Sequence, residues 1–421
     1  MPQASENSKN SEKVCVLIIE EKADLRTFFM GVLTKTGNYE VKNAASPVEA
    51  LEILGKEANT IQIILFNWNM KEMPGHVFSQ KIKNEVNYDH IELVVCSAAF
   101  SPQDSFLMSE IDIYYTMPKV VNASEFLLKM EEVRSEFKNT QAISAKLKDL
   151  KHLIHESDIK SIDTLFSNSD VEKEITNNSK YTYLGGEVRI LKKKYEEAVD
   201  FLKNHLDKNR ENKQNENLKT LSTLGKALCL VGKFEEASMI YEKLESKSPN
   251  NLGHKIMLGD ALLGLDDING AENKFNEVLN KDPSNTGALV GMMKSNSVNG
   301  NFDQAKSFFE KIEGNFESKS LASFFNNRGV ALVKKGKVEE AILFYENALQ
   351  FFDKFKAHVY FNLGMAYYRS GNISSAVSCF QAAMAQDTKL LEEKNILKEL
   401  REKGVEKFTA DYNENLKSRK K

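Results

Sequence analysis

Val16-Leu-Ile-Ile-Glu-Glu-Lys-Ala-Asp-Leu25 sets an apolar run, which begins at Val14, against two adjacent acids, Glu20 and Glu21. The run is too short for a helix, and its lack of polar alternation marks a parallel strand covered on both faces. Runs of the same kind recur at 39–44, 61–66, 91–96 and 111–116, with segments of helical period between them at 24–34, 47–54 and 124–137. Five strands alternating with five helices predict a doubly wound, five-stranded parallel α/β sheet. In such sheets function gathers at the carboxyl ends of the strands. Those ends carry Glu20, Glu21, Asn67, Ser97 and Met117.

Read together with Leu65-Phe-Asn-Trp-Asn-Met-Lys-Glu-Met-Pro-Gly75, this stretch resembles the receiver domain of bacterial response regulators, in particular the chemotaxis type, over residues 13–137. The resemblance implies an acidic pair after strand one and a phospho-accepting aspartate after strand three that together bind Mg²⁺. It also implies a hydroxyl ending strand four and a lysine before a proline after strand five. Glu20 and Glu21 match the pair, Ser97 the hydroxyl, Pro118 the proline, and Tyr114 the aromatic switch on strand five that moves with Ser97.

Two positions depart from that pattern. Asn67 stands where the acceptor aspartate belongs, and an amide whose nitrogen lone pair is delocalised offers no nucleophile comparable to a carboxylate. Met117 replaces the lysine and brings neither charge nor donor. Lys119 follows Pro118 and is not expected to take its place. Losing one acid also weakens an octahedral oxygen site, so Mg²⁺ binding at Glu20, Glu21 and Asn67 is expected to be weak or absent, with no other cofactor. The expected result is a degenerate receiver, or pseudo-receiver.

The rest of the chain repeats. A small anchor residue recurs at Ala198, Ala237, Ala271, Ala305, Ala341 and Ala376, each with a bulky residue four positions on: Leu202, Tyr241, Phe275, Phe309, Tyr345 and Phe380. The spacing of 34 to 39 residues and the pattern Gly…Ala resemble tetratricopeptide repeats, six of them over 180–388, forming an all-α solenoid of helical hairpins. Gly225 is expected to face Ala237. The first helices of such hairpins line the partner-binding face. By register that face holds Lys219, Ser222 and Lys226, then Lys294, Asn326 and Asn327, and finally His358, Asn362, Tyr368 and Arg369. Asparagines could fix a peptide backbone, and the cations would favour acidic ligands.

Residues 1–12 read as a disordered tail. Residues 138–179 carry helical period without the repeat signature, and serve either as a capping hairpin or as an extension of the receiver's last helix. Residues 389–403 suit a capping helix, and the lysine-rich stretch 405–421 reads as frayed.

The 421 residues, 41% of them hydrophobic, suffice for several cores, and a net charge of -3 lacks the broad positive field of a non-specific nucleic-acid binder. The receiver segment counts 12 basic against 18 acidic side chains. Cys15, Cys96, Cys229 and Cys379 are too dispersed for a C-x-x-C motif and read as buried free thiols of a reducing compartment. No apolar stretch is long enough to span a membrane, so a cytoplasmic location is expected. His152 and His155 share a helical face but have no evident third ligand for a metal. Asp266-Asp-Ile-Asn-Gly270 is an inter-helix turn and not a calcium loop. No catalytic motif is present.

The expected function is a non-enzymatic signalling adaptor that binds partner proteins through the repeat groove and through the receiver face formed by its fourth helix, fifth strand and fifth helix. That face could also support a receiver dimer. One alternative is a phosphorylation-competent regulator using a non-standard acid such as Glu21 or Glu72. Another is an adaptor acting on transcription or RNA machinery.

Overall fold

The computed structural model describes residues 13–119, 122–138, 142–166, 169–208, 217–312, 319–351 and 356–419. The expected tail at 1–12 lies outside them. The chain divides into two compact units, Met1–Leu265 and Asp266–Lys421.

The first unit opens with a parallel sheet in the order β2-β1-β3-β4-β5, built from β1 (Val14–Ile19), β2 (Tyr39–Ala44), β3 (Ile63–Asn67), β4 (Glu92–Ser97) and β5 (Tyr115–Pro118). Its helices are α1 (Ala23–Lys35), α2 (Pro47–Glu57), α3 (Gly75–Lys83), α4 (Pro102–Glu110) and α5 (Ala123–Lys138). Odd and even strand positions bury opposite faces, so the unbroken apolar runs fill two cores. Leu17, Ile64, Phe66 and Val95 lie in one; Val16, Ile18, Leu65 and Val94 lie in the other. Local chemistry starts the helices as well. Ser46 caps α2 ahead of Pro47, and Ser101 with Asp104 forms a capping box at α4.

Three strands begin later than the apolar runs suggest. Ile61 and Ile91 are buried yet precede their ladders, and Ile111 follows directly on α4 before Asp112 takes a left-handed φ of 56°. Apolarity reports burial, whereas the ladder starts where backbone pairing starts, and the two differ by one to four residues here.

Three separate helices follow: α6 (Ala142–Glu156), α7 (Ile159–Phe166) and α8 (Ser169–Asn177). Residues 139–141 lie outside the described set. Leu147 and Leu150 of α6 join Ile162, Val171, Ile175, Leu184 and Val188 in one core, so these helices cap the repeats. The opposite stripe of α6 meets the receiver. Lys148 Nζ is 2.9 Å from Glu92, Lys151 Nζ 3.1 Å from Asp112, and the Nδ1 atoms of His152 and His155 each lie 3.1 Å from Asp89. The repeat helices of this unit are α9 (Thr182–Leu191), α10 (Tyr195–Lys208), α11 (Leu218–Leu230), α12 (Phe234–Lys247) and α13 (Leu252–Gly264).

The second unit contains α14 (Ile268–Leu279), α15 (Thr286–Val298), α16 (Phe302–Phe309), α17 (Lys319–Lys334), α18 (Val338–Ala348), α19 (Lys356–Ser370) and α20 (Ile373–Gln386). Short α21 (Thr388–Glu393) and long α22 (Asn395–Arg419) complete it. All six anchor alanines are fully buried. The bulky residues Leu202, Tyr241, Phe275, Tyr345 and Phe380 each rest on a glycine of a facing helix. A Cβ on Gly225 would stand 2.7 Å from the Tyr241 ring, and one on Gly329 2.2 Å from the Tyr345 ring. The nearest atoms to Gly225 are thus those of the Tyr241 ring. Both hydroxyls then donate to a carbonyl 19 residues back, Tyr241 to Ser222 at 2.8 Å and Tyr345 to Asn326 at 3.2 Å.

The C-terminal stretch is not frayed over its described length. α22 breaks at Gly404, whose φ of 72° and ψ of 166° suit glycine, and resumes to Arg419. Phe408 and Tyr412, four apart, are buried. The Tyr412 ring packs 4.5 Å from Tyr368, and its hydroxyl donates to the Tyr368 carbonyl at 2.6 Å. Lys403 and Lys407, on the same helix, are exposed.

Candidate functional site

The carboxyl ends of β1, β3, β4 and β5 converge, as the strand order requires, and they bring Glu20, Glu21, Asn67 and Ser97 to one edge. Glu20 is 2% exposed. Its Oε2 lies 3.3 Å from the Lys119 ammonium, and its Oε1 accepts from the Lys22 amide at 3.1 Å. Arg26 donates to the Glu20 carbonyl at 2.6 Å. Glu21 turns elsewhere, its Oε1 accepting from the Lys71 amide at 2.6 Å and so tying the β1–α1 turn to the loop after β3.

Asn67 spends both ends of its amide on one neighbour. Oδ1 accepts from the Asn69 amide and Nδ2 donates to the Asn69 carbonyl, each at 3.1 Å. Ser97 donates to the Ala99 carbonyl at 2.8 Å, and the Asn69 side-chain amide lies 3.5 Å from its oxygen. The loop folds this way because Gly75 returns its amide to the Trp68 carbonyl at 2.8 Å while Trp68 is buried. A Cβ on Gly75 would stand 2.6 Å from that carbonyl oxygen and 2.7 Å from the Trp68 Cα.

Met117 is not at this edge. It pairs with Cys96 in the β4–β5 ladder and is buried with Phe126 and Met130. Burial, with Glu20 nearby, pushes the Cys96 thiol up to about 12. Cys15 is also buried, but Cys229 and Cys379 are half-buried, against the expectation for all four. Sequence reasoning set Lys119 aside, yet directly after Pro118 its amide donates to the Ser97 carbonyl at 2.9 Å, and the ammonium reaches Glu20. The signal was the two-residue offset from Met117, which keeps a side chain on the same face.

Tyr114 lies one residue before β5, not on it. It is 51% exposed, donates to Asp112, and carries the Lys180 ammonium 4.7 Å from its ring centre. Of the groove candidates in the first unit, Lys219 Nζ is 2.5 Å from Asp112 and Lys226 Nζ 2.7 Å from Glu187. Lys219 is thus turned onto the receiver and does not face open solvent. In the second unit Lys294 stands over the Phe324 ring at 5.5 Å, and Asn326 accepts from Asn362 and donates to Asn327. His358 and Arg369 are exposed. His152 and His155 converge on Asp89, and among the described residues no group of three or more His, Cys, Asp or Glu could hold a metal ion. No helix among those residues is long and apolar enough to cross a membrane.

Here a parallel sheet with acids and a hydroxyl at its carboxyl edge is followed by stacked helical hairpins. The family model of the response regulator receiver domain matches residues 16–131, those of the tetratricopeptide repeat match 322–352 and 357–390, and that of the PPR repeat matches 219–248. The chain therefore carries a response-regulator receiver domain followed by an array of tetratricopeptide-type repeats.

Among curated proteins it is 30% identical to a protein named histidine kinase P4 of Formosa agariphila, over 36% of this chain and 11% of that one. It is 26% identical to a chemotaxis protein CheY homolog of Campylobacter jejuni, over 19% of this chain and 61% of that one. A TPR repeat-containing protein of Methanocaldococcus jannaschii is 24% identical over 53% of this chain and 41% of its own. The chain spans less than two thirds of the length of each of these relatives.

Proposed function

We propose that this protein is a non-catalytic adaptor of a two-component-type pathway, acting in the cytoplasm and binding other proteins through its repeats, with a receiver that is not phosphorylated at Asn67. The observation that carries this reading is the state of the pocket. The side chain at the acceptor position is an amide with both polar atoms engaged by Asn69, and the cation nearby stands on Glu20. A carboxylate nucleophile is missing at that position, and an ammonium neutralises the buried acid where a divalent cation would need it. The donor set argues against resident Mg²⁺ for the same reason. The excess of acids on the receiver disfavours nucleic acid as a partner.

The test is chemical. The full chain, incubated with acetyl phosphate and Mg²⁺ and read by intact mass, is expected to gain no phosphoryl group. Beryllofluoride should bind neither the parent nor, to any large extent, the Asn67→Asp variant while Met117 is retained. One acyl phosphate per chain on the parent, mapped to Glu21, Glu72 or any other acid, would overturn the reading.

A further inference from the structure

Where the receiver meets the first repeats, its contribution is acidic. α4 ends at Glu110, and two residues later Asp112 turns the chain toward β5. The Glu110 carboxylate lies 3.1 Å from His254 Nε2, with side-chain exposures of 5% and 4%, and accepts from Asn251 Nδ2 at 3.1 Å. Asp112 accepts from Lys219 at 2.5 Å and Lys151 at 3.1 Å, and the Tyr114 hydroxyl closes over it. Burial works against the Asp112 charge, yet the two lysines hold its carboxyl well below the usual carboxylate range; burial pulls Lys219 down to about 8. Beside them Gln80 reads the entrance to α13 through the backbone. Its Nε2 donates to the Asn250 carbonyl at 2.9 Å, and its Oε1 accepts from the Leu252 amide at 2.7 Å.

On the repeat side Lys219, Asn251 and His254, on or at the start of α11 and α13, the first helices of their hairpins, meet these acids. Asn217 and Asn251 cap the two helices in the same way, which sets Lys219 and His254 on the same rim. The fit is polar and incomplete. A space of about 310 Å³ remains, lined by Glu110, Asp112, Tyr183, Lys219, Asn251 and His254 among others. An apolar seal would resist exchange, but ionic and hydrogen-bonding groups beside an open, partly polar space can change partners.

We propose that the rim formed by Lys219, Asn251 and His254 is an acid-recognising surface which the receiver occupies in cis through Glu110 and Asp112, and that an acidic segment of a partner protein competes with the receiver for it. The proposal rests on the adaptor reading and names the chemistry of its partner. A tethered occupant acts at high effective concentration, so a competitor must bring several carboxylates, or must find the receiver already loosened.

Hydrogen exchange of the full chain, read at the Leu252 amide, measures release of the receiver. A fluorescein-labelled deca-glutamate peptide measures access to the rim. Neutralising the receiver acids in Glu110→Gln/Asp112→Asn should speed exchange at Leu252 and tighten deca-glutamate binding about tenfold, because the open fraction rises. Adding Lys219→Glu to that variant should abolish the gain. The exchange of charges in Asp112→Lys/Lys219→Asp, made with Lys151→Gln so that the new lysine meets no second cation, should give slower exchange at Leu252 than Asp112→Lys with Lys151→Gln alone, which separates recognition from simple unfolding. Unchanged exchange at Leu252 in the neutralised variant would overturn the proposal. So would faster exchange without tighter peptide binding, and that outcome leaves the adaptor reading standing, since a phosphorylated parent is what defeats the latter.

Discussion

Glu20 keeps a carboxylate almost out of contact with water because the Lys119 ammonium and the Lys22 amide share it. Removing the cation leaves a buried charge with diminished compensation, which typically costs about 3–5 kcal/mol, whereas removing both charges costs far less. Lys119→Met should therefore lower the receiver's urea midpoint sharply, and Glu20→Gln/Lys119→Met should recover most of the loss; equal midpoints for parent and Lys119→Met would refute the pairing. Gly75 gives a second expectation at this scale. Its missing Cβ would collide with main-chain atoms of Trp68, which cannot swing aside like a side-chain tip. Gly75→Ala should cost roughly 1–3 kcal/mol in the same measurement, the range of other overpacking changes. The acceptor position was legible in the sequence because Trp68, Met70 and Gly75 frame Asn67 so closely. Lys119 was not, because it lies just past the end of β5 at Pro118, and only the fold shows its ammonium turned onto Glu20.

At the scale of elements, the anchor alanines and their bulky companions were readable because four of the six repeats solve one steric problem in the same way, with the ring of Tyr241, Phe275, Tyr345 or Phe380 laid on a glycine backbone. The last helix was misread because lysine density was weighed as a tail, while the apolar pair four residues apart decides the matter. Phe408 packs with Phe380, Leu397 and Leu400 in one core, and Tyr412 closes on Tyr368. Phe408→Ala should destabilise the last repeats by about 3–5 kcal/mol, as large-to-small changes at buried aromatics do. Thermal melting or limited proteolysis between α20 and α22 would check it, and a melt unchanged from the parent would mean that the segment beyond Gly404 does not hold the array. Strand starts were less legible than strand identities, since Ile61 and Ile91 are buried without being paired and composition cannot separate the two conditions.

For the first unit as a whole, α6 is the joint, apolar toward the repeats and cationic toward the receiver. Nothing in the sequence pairs Asp89 with two histidines more than sixty residues away, so this part of the architecture was invisible until the fold was built. It makes the joint pH-dependent. Asp89 bonding holds His155 above its ordinary value of 6.5, against burial, with Glu85 adding to the rise. Asp89 is held below its ordinary 3.8 by the two histidines, again against burial. The raised histidine contributes fully below pH 6.5, and its contribution is lost as pH climbs through its folded value. The depressed carboxylate contributes above pH 3.8, and its contribution is lost as pH falls through its folded value. The contact is therefore strongest in mildly acidic solution. His152 also faces Glu156 at 3.5 Å, which holds that ring on the helix surface. Amide exchange along 148–156, corrected for the intrinsic rate, should be slower at pH 6 than at pH 7.5, and Asp89→Asn should remove the difference while leaving the apolar side of α6 packed. A pH profile unaltered by Asp89→Asn would assign the joint to Lys148 and Lys151 and take the histidines out of it.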